Sequence, residues 1–277
     1  MKNINLLTLV LVGTLTLSFF GCQKKESANN AAVTEEISAT TKSQITKLGF
    51  STENARKVEG GYLVENDILL TDENLTGTPV STHLSIAESE QYRTTNTVNA
   101  LPRVVTISTT NLPVVYSDAV DIAISRYNSL GLRLTFKKAN TGTTGNINVI
   151  GFNEGPSGGF ITLGSSGFPT AGGAPFNQIR MNTNPAAYGT NPNLLYLASV
   201  LQHEIGHAIG LRHTDYANRA FSCGGTAVNE GASNVGAINI PGTPTGPDAA
   251  SFMLACSNGG DRTFNANDIV ALKYLYN

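Results

Sequence analysis

The eleven residues HEIGHAIGLRH, 203–213, are the most informative part of this chain because they hold three of its four histidines. An apolar pattern of helical spacing starts after Asn191-Pro192 and predicts a helix that runs through His207. His203 and His207 are four residues apart, so the helix places both imidazoles on one face, where they can bind one metal ion. Gly210 permits a left-handed turn that ends the helix and brings His213 round as a third nitrogen ligand.

Three neutral imidazoles are typical of a catalytic zinc site, which keeps its fourth position open for water. Glu204 points to the neighbouring side of the helix, where a carboxylate can take a proton from that water. A purely structural site has no need of such a base. The fourth histidine, His83, stands alone in a charged region and is interpreted as a solvated side chain.

The sequence of residues 203–215 resembles that of the metzincin metallopeptidases, and among them it is most similar to the dual-action HEIGH metallopeptidase family. In this resemblance His203, His207 and His213 match the ligands of one catalytic Zn²⁺ and Glu204 matches the general base. The resemblance implies zinc endopeptidase activity on protein or peptide substrates. It also implies an α+β, metzincin-like fold: a twisted, mainly mixed β-sheet, an active-site helix and a C-terminal subdomain that ends in a helix.

Downstream features extend this resemblance. Ser251-Phe252-Met253 resembles the Met-turn beneath the metal, although Met253 could also be an ordinary core methionine. Residues 265–276 resemble the closing helix of such domains. Some relatives carry a tyrosine two residues after the turn methionine, where this chain has Ala255. Tyr216 is a possible substitute, but we interpret it as surface structure.

The rest of residues 101–277 has the pattern of an α+β domain. A helix is expected at 118–127, capped by Ser117 or Asp118. Glycine-rich loops lie between later strands, without a phosphate-binding motif. An extended substrate would lie along a sheet edge, and residues 159–164 are the candidate for that edge. Strands are expected at 103–108, 132–136, 146–152, 160–163 and 178–181.

The amino-terminal part differs in composition. Residues 23–99 hold 18 charged groups in 77 positions, whereas residues 100–277 hold 19 in 178. We interpret residues 22–100 as a tether and pro-like segment, with residues 27–43 lacking structure and short strands at 62–64 and 68–70. This region has no cysteine after Cys22, so a latent form would have to use an acidic group such as Asp67 or Asp72.

Residues 1–21 have the features of an export signal: Lys2, an apolar run and Gly21 before Cys22. The pattern resembles a bacterial lipoprotein signal, with Cys22 as the lipidated residue and membrane anchor. Phe19 and Phe20 depart from the preferred residues, and an ordinary cleaved signal is the alternative. The expected location is therefore the bacterial cell envelope, or the exterior if Cys22 carries no lipid.

The other two cysteines, Cys223 and Cys256, form an even pair in an oxidising compartment, so a disulfide is expected, with two free thiols as the alternative. A formal charge of −2 gives no support to a nucleic-acid partner. Two other function classes stay open: an exported zinc-binding adhesion module without proteolysis, and a zincin-fold hydrolase acting on a non-peptide substrate.

Overall fold

A computed structural model of the chain describes residues 36–76, 91–231, 235–244 and 246–277. The export signal, Cys22 and His83 lie outside these ranges. The helices in them are α1 (Ala39–Lys47), α2 (Asp72–Thr76), α3 (Val114–Asn128), α4 (Pro185–Tyr188), α5 (Leu194–Ile209), α6 (Ala220–Cys223) and α7 (Ala266–Tyr276). The strands are β1 (Arg56–Val58), β2 (Gly61–Val64), β3 (Ile68–Leu70), β4 (Tyr92–Arg93), β5 (Arg103–Thr110), β6 (Leu134–Lys138), β7 (Ile147–Phe152), β8 (Gly164–Ser166), β9 (Gln178–Asn182) and β10 (Ile238–Asn239).

Eight strands form one mixed sheet in the order β1-β2-β3-β8-β9-β7-β5-β6. The strands β6, β5, β7 and β9 are parallel to one another, and β8 is antiparallel to β9. The amino-terminal strands continue the sheet, because β3 pairs with β8 in parallel. A separate pair, β4 and β10, is antiparallel.

The main core lies between this sheet and the packed helices α3 and α5. Alternation along β5 turns Val105 and Ile107 inward, where both are fully buried. Two buried tyrosines tie α3 to its neighbours: the Tyr127 hydroxyl donates to the Gln202 carbonyl at 2.8 Å and the Tyr116 hydroxyl to the Asn182 carbonyl at 2.8 Å. The metal-binding helix is thereby fixed on a rigid layer.

The predicted α+β class is confirmed, with a mixed sheet, a helix carrying the histidine motif and a C-terminal helix. The prediction of a strand at 160–163 is wrong. Ser157 and Phe160 form a tight bridge there, and the strand runs over Gly164–Ser166 instead. An apolar run becomes a strand only where neighbouring backbones can pair with it, and β8 has β9 on one side and β3 on the other.

Two predicted helix starts are also wrong by a few residues. Helix α3 begins at Val114 after Pro113, whose carbonyl accepts from the Tyr116 N–H at 3.0 Å, so neither Ser117 nor Asp118 caps it. Helix α5 begins after Asn193, whose side chain accepts from the Tyr196 N–H at 3.0 Å. A capping side chain must reach a free N–H two or three residues on.

The amino-terminal segment is more ordered than its composition suggests. Helix α1 overlaps residues 27–43, which were expected to lack structure. It is stabilised by the Ser38 cap and by Ile45, which is fully buried. The strands expected at 62–64 and 68–70 correspond to β2 and β3. No helix in the described part of the chain has the length and apolar character that crossing a bilayer requires.

Candidate metal centre

Helix α5 carries two of the histidines and the glutamate. The side chains of His203 and His207 meet on one helix face, with ring centroids 4.7 Å apart. Gly210 ends the helix in a left-handed conformation, φ 114°, which a side chain would strain. Its N–H and that of Leu211 both bond back to the Gly206 carbonyl. The chain then turns so that the His213 ring lies 4.7 Å from the His207 ring.

Each imidazole is oriented by a hydrogen bond through Nδ1. His203 Nδ1 lies 2.9 Å from the Phe252 carbonyl oxygen and His207 Nδ1 lies 2.9 Å from that of Leu211. Carbonyl oxygens only accept, so both Nδ1 atoms carry the proton. His213 Nδ1 lies 2.5 Å from Glu230 Oε1. The three Nε2 atoms thus face a common point, as in zinc sites with an oriented ligand shell.

The spacing of these nitrogens fits zinc. His207 Nε2 and His213 Nε2 lie 3.1 Å apart. Two ligands of a tetrahedral ion at bond lengths of about 2.0 to 2.1 Å are separated by about 3.3 Å. One ligand atom from each histidine and one from Asp67 all lie within 4.8 Å of one another. The donor set therefore matches zinc in both atom type and size.

Burial and neighbouring groups set the protonation of these histidines. Burial and the nearby His213 lower the pKa of His203 to about 4. Burial, with His203 and His213, also lowers the pKa of His207. Burial lowers the pKa of His213 too, but the carboxylates of Asp67 and Glu230 outweigh it and raise that pKa to about 10. At this pKa His213 carries an additional proton, and bound zinc would replace that proton.

Glu204 lies beside the imidazoles and is 2% exposed. Its Oε2 is buried without a hydrogen-bond partner among the described residues, and so is Asp67 Oδ1. Burial, and then the negative charge of Asp67, raises the pKa of Glu204 well above its ordinary value. Two buried carboxylate oxygens without partners next to three inward-facing nitrogens indicate a site built for a cation and a water.

Sequence patterns did not identify Glu230, which the structure places directly behind His213. Its Oε1 faces His213 Nδ1 and also lies 3.5 Å from Arg219, whereas its Oε2 accepts from Arg212 at 3.3 Å. Burial raises the pKa of Glu230, but His213 and the two arginines outweigh that effect and lower it to about 2. Glu230 is therefore a carboxylate and fixes the orientation of the third imidazole.

Met253 lies beneath this site and is fully buried. Its carbonyl accepts from the Thr214 N–H at 2.9 Å, immediately after the third histidine. The preceding residue, Phe252, holds the His203 ring. The turn therefore braces two of the three histidines.

Cys223 and Cys256 form a disulfide with an S–S distance of 2.08 Å. Ser222, next to Cys223, donates to Asp215 and accepts from the Cys256 N–H at 2.9 Å. These contacts tie the loop after the metal helix to the segment that follows the Met-turn. In the chain-entropy model such a link stabilises by about 3 to 4 kcal/mol.

The interpretation of Tyr216 as a surface residue is wrong. It is 5% exposed, its ring packs edge-on against Tyr92 with centroids 4.3 Å apart, and the Arg212 guanidinium lies 5.7 Å from its centroid. Tyr92 lies on β4, far from Tyr216 in the sequence, so its approach to Tyr216 could not be inferred from local spacing.

A mixed sheet, a helix with His-Glu-x-x-His and a third histidine after a glycine turn define a zinc metallopeptidase. The chain belongs to the dual-action HEIGH metallo-peptidase family, whose model matches residues 63–276. It acts as a metallopeptidase on protein or peptide substrates, and its metal cofactor is zinc.

Solved structures add distant similarities. Two structures of myroilysin each match at a TM-score of 0.40. The first shares 17% identity and covers 66% of this chain and 86% of that one. The second shares 15% identity and covers 64% of this chain and 93% of that one. High choriolytic enzyme 1, a hatching-enzyme zinc protease from the medaka fish Oryzias latipes, shares 12% identity at a TM-score of 0.37, covering 72% of this chain and 98% of that one. At such scores the neighbours add no argument of their own. No curated protein matches the chain.

Proposed function

We propose that this protein is a zinc endopeptidase in which Glu204 is the general base. The observation that carries the proposal is the position of Glu204 Oε2, a buried carboxylate oxygen without a partner among the described residues, next to three imidazoles whose Nε2 atoms converge. His203, His207 and His213 would hold the ion. When bound, zinc supplies Lewis acidity and lowers the pKa of a water from about 15.7 toward 7.

Glu204 performs the proton transfers. As a carboxylate it accepts the proton of the attacking water at Oε2 and later donates it to the leaving amine. With zinc bound through their Nε2 atoms, the three oriented imidazoles would be neutral.

The cleft beside Glu204 suits a peptide. A cavity next to His203 and Glu204 has apolar walls that include Leu163, Val200 and Leu254. Apolar pockets with a few polar groups hold substrate side chains well. Gly164, the first residue of β8, lines the cleft, and an extended substrate would add to this strand as a further strand. The proposed edge, Gly164–Ser166, overlaps at Gly164 with the residues 159–164 expected from sequence.

The export and lipid anchoring of the chain are also part of the proposal, on the basis of sequence alone. Residues 1–21 are a signal peptide, Cys22 is the lipidated amino terminus, residues 22–100 are a tether and pro-like segment, and residues 101–277 form the peptidase domain. Mass spectrometry of the mature amino-terminal peptide tests the anchor. An unmodified cysteine, or cleavage at another bond, would contradict it.

The test of the chemistry separates the base from the metal. Glu204→Gln should retain about one zinc per chain and lose roughly 100-fold to 10,000-fold in cleavage of a denatured protein substrate. His207→Ala should lose both zinc and activity, because two imidazoles cannot hold the ion as tightly. The assay is run in the parent chain and in an Asp67→Ala chain, with and without a chelator. Absence of cleavage in both would refute the endopeptidase proposal.

A further inference from the structure

A carboxylate from the amino-terminal segment lies among the three imidazoles. Asp67 Oδ2 is 3.0 Å from His213 Nε2 and 3.9 Å from His203 Nε2. These values bracket the separation of about 3.3 Å expected between two ligands of a tetrahedral zinc ion. Asp67 is also the only residue besides the three histidines in the metal-sized cluster found among the described residues. Its oxygen therefore lies where the fourth ligand of the ion belongs.

The hairpin between β2 and β3 holds Asp67 in this position. Val64 pairs with Ile68, so residues 65–67 form the loop. Glu65 and Asn66 both adopt positive φ, 54° and 71°, a conformation that costs a non-glycine residue about 1 kcal/mol or more. A loop that keeps such a conformation is held by its surroundings. The conformation directs the next side chain, Asp67, into the metal site.

An ion pair fastens the same loop to the peptidase domain. Arg219 donates to the Glu65 carboxylate at 2.8 Å and to the Glu65 backbone carbonyl. Both side chains are almost completely buried, and Arg219 also lies 3.5 Å from Glu230, the carboxylate behind His213. The loop is thereby joined to the residues that orient the third imidazole.

Strand β3 covers the edge to which a substrate would add. Ile68 pairs with Ser166 of β8, and the Ser166 N–H donates to the Asp67 carbonyl at 3.0 Å. The other edge of β8 is occupied by β9. An extended peptide therefore competes with β3 for this edge of β8 at Ser166, since each strand has only two edges.

The segment also has apolar contacts with the peptidase domain. Ile45, Val64, Ile68 and Leu70 are fully buried in a small cluster against which Phe168 of the domain packs. A polar contact adds to this cluster: Arg56 donates to Glu154 at 2.8 Å and to Thr162 at 3.1 Å. The segment is thus docked by apolar and polar contacts, and one of its partners, Thr162, lines the cleft.

We propose that residues 36–76 are an autoinhibitory segment and that Asp67 is the fourth zinc ligand in a latent form of the enzyme. The inference rests on the proposed function, since it names the regulation of that same site. Activation requires the bond between the Asp67 carboxylate and zinc to break, with water taking the vacated position. No covalent bond of the carboxylate changes. Withdrawal of β3 then frees the edge of β8 for the substrate.

The experiment measures access to the fourth position directly. The full chain is loaded with Co²⁺, and acetohydroxamate, a small metal ligand, is titrated while the visible absorption of the cobalt is recorded. Asp67→Ala should bind acetohydroxamate at least about tenfold more tightly than the parent, because the competing internal ligand is gone. Asp67→Asn, which keeps the size of the side chain, should behave in the same way. Asp72→Ala, an exposed acid of the same segment, should match the parent.

Peptidase activity is measured on the same samples in the zinc form. It should rise at least about tenfold in both Asp67 variants and stay at the parent level in Asp72→Ala. Equal acetohydroxamate binding by the parent and both Asp67 variants would overturn the proposal. Equal cleavage by the parent and both Asp67 variants would refute autoinhibition and support only the endopeptidase function. Tighter acetohydroxamate binding without cleavage in any sample would support Asp67 as a ligand and refute the endopeptidase function.

Discussion

Gly206 packs directly against Met253. A Cβ placed on Gly206 would lie 2.5 Å from Met253 Sδ and 3.1 Å from Phe252 Cε2. Both partners are buried, and Phe252 in turn accepts the hydrogen bond from His203. The glycine of His-Glu-Ile-Gly-His therefore sits where the helix that carries two ligands and the turn beneath them touch. Its lack of a side chain sets their separation.

Gly206→Ala should destabilise the protein despite the better helix propensity of alanine. Propensity alone favours alanine by about 1 kcal/mol, whereas overpacking a filled core costs about 1 to 3 kcal/mol. The measurement is the free energy of unfolding in denaturant, in a cycle with Met253→Ala. In the Met253→Ala background the 2.5 Å contact is removed and only the 3.1 Å contact with Phe252 is left, so the cost of Gly206→Ala should fall clearly. The same cost in both backgrounds would show that the contact does not set the effect.

Glu230→Gln should weaken zinc binding. The amide keeps the size of the side chain but loses the charge that holds His213 and balances Arg212, and partners of this kind typically contribute 10-fold to 100-fold in metal affinity. Zinc affinity is measured by competition with a chelator. Glu73→Gln removes the charge of an exposed glutamate and should leave the affinity unchanged. Unaltered affinity in Glu230→Gln would contradict the role of this carboxylate.

The metal helix could be predicted from the sequence because its determinants are local. The spacing of His203 and His207 and the turn at Gly210 fix the ligand positions within one helix and its cap. Asn191 and Asn193 are the same residue type, however, and only the hydrogen bond from Tyr196 shows which one caps the helix. Helix boundaries depend on such single contacts.

The residues around the ligands could not be found in this way. Glu230 follows His213 by 17 positions in a loop, and no spacing rule links them. Asp67 and Asp72 were equivalent candidates by composition. The β2–β3 hairpin distinguishes them, since it directs Asp67 to the imidazoles and leaves Asp72 exposed at the start of α2. These choices depend on tertiary packing, which local propensity does not contain.

Gly164→Ala should slow catalysis without removing the metal. A Cβ at this position would lie 2.7 Å from Glu204 Oε1 and 3.0 Å from Glu204 Cγ, so the carboxylate must shift. A displacement of about 1 Å can cost about 100-fold in rate. Ser165→Ala, on the next residue of β8, is the matched control because Ser165 Oγ has no hydrogen-bond partner among the described residues. The readouts are kcat on a peptide substrate and zinc content, and unchanged kcat in Gly164→Ala would contradict the placement of Glu204.

Asp268 connects the closing helix to the Met-turn. Its carboxylate accepts from the Ser251 hydroxyl at 2.8 Å, the Phe252 N–H at 3.2 Å and the Asn265 N–H at 3.0 Å. The Gln91 side chain donates to it as well, at 2.8 Å. Burial raises the pKa of Asp268 to about 6, although these hydrogen bonds oppose the rise.

This raised pKa makes stability depend on pH. Between about pH 4, the ordinary range of an aspartate, and about pH 6, the folded protein holds a proton that the unfolded chain has lost, so the contribution of Asp268 falls as the pH rises. The full change corresponds to about 3 kcal/mol. Asp268→Asn removes the titration, and its stability difference from the parent should shrink across this window. Zinc loss at low pH affects both proteins and cancels in the difference. The comparison uses unfolding free energies from pH 4 to pH 7, with the exposed Asp118→Asn as control, and a difference that stays constant or grows with pH would contradict the assignment.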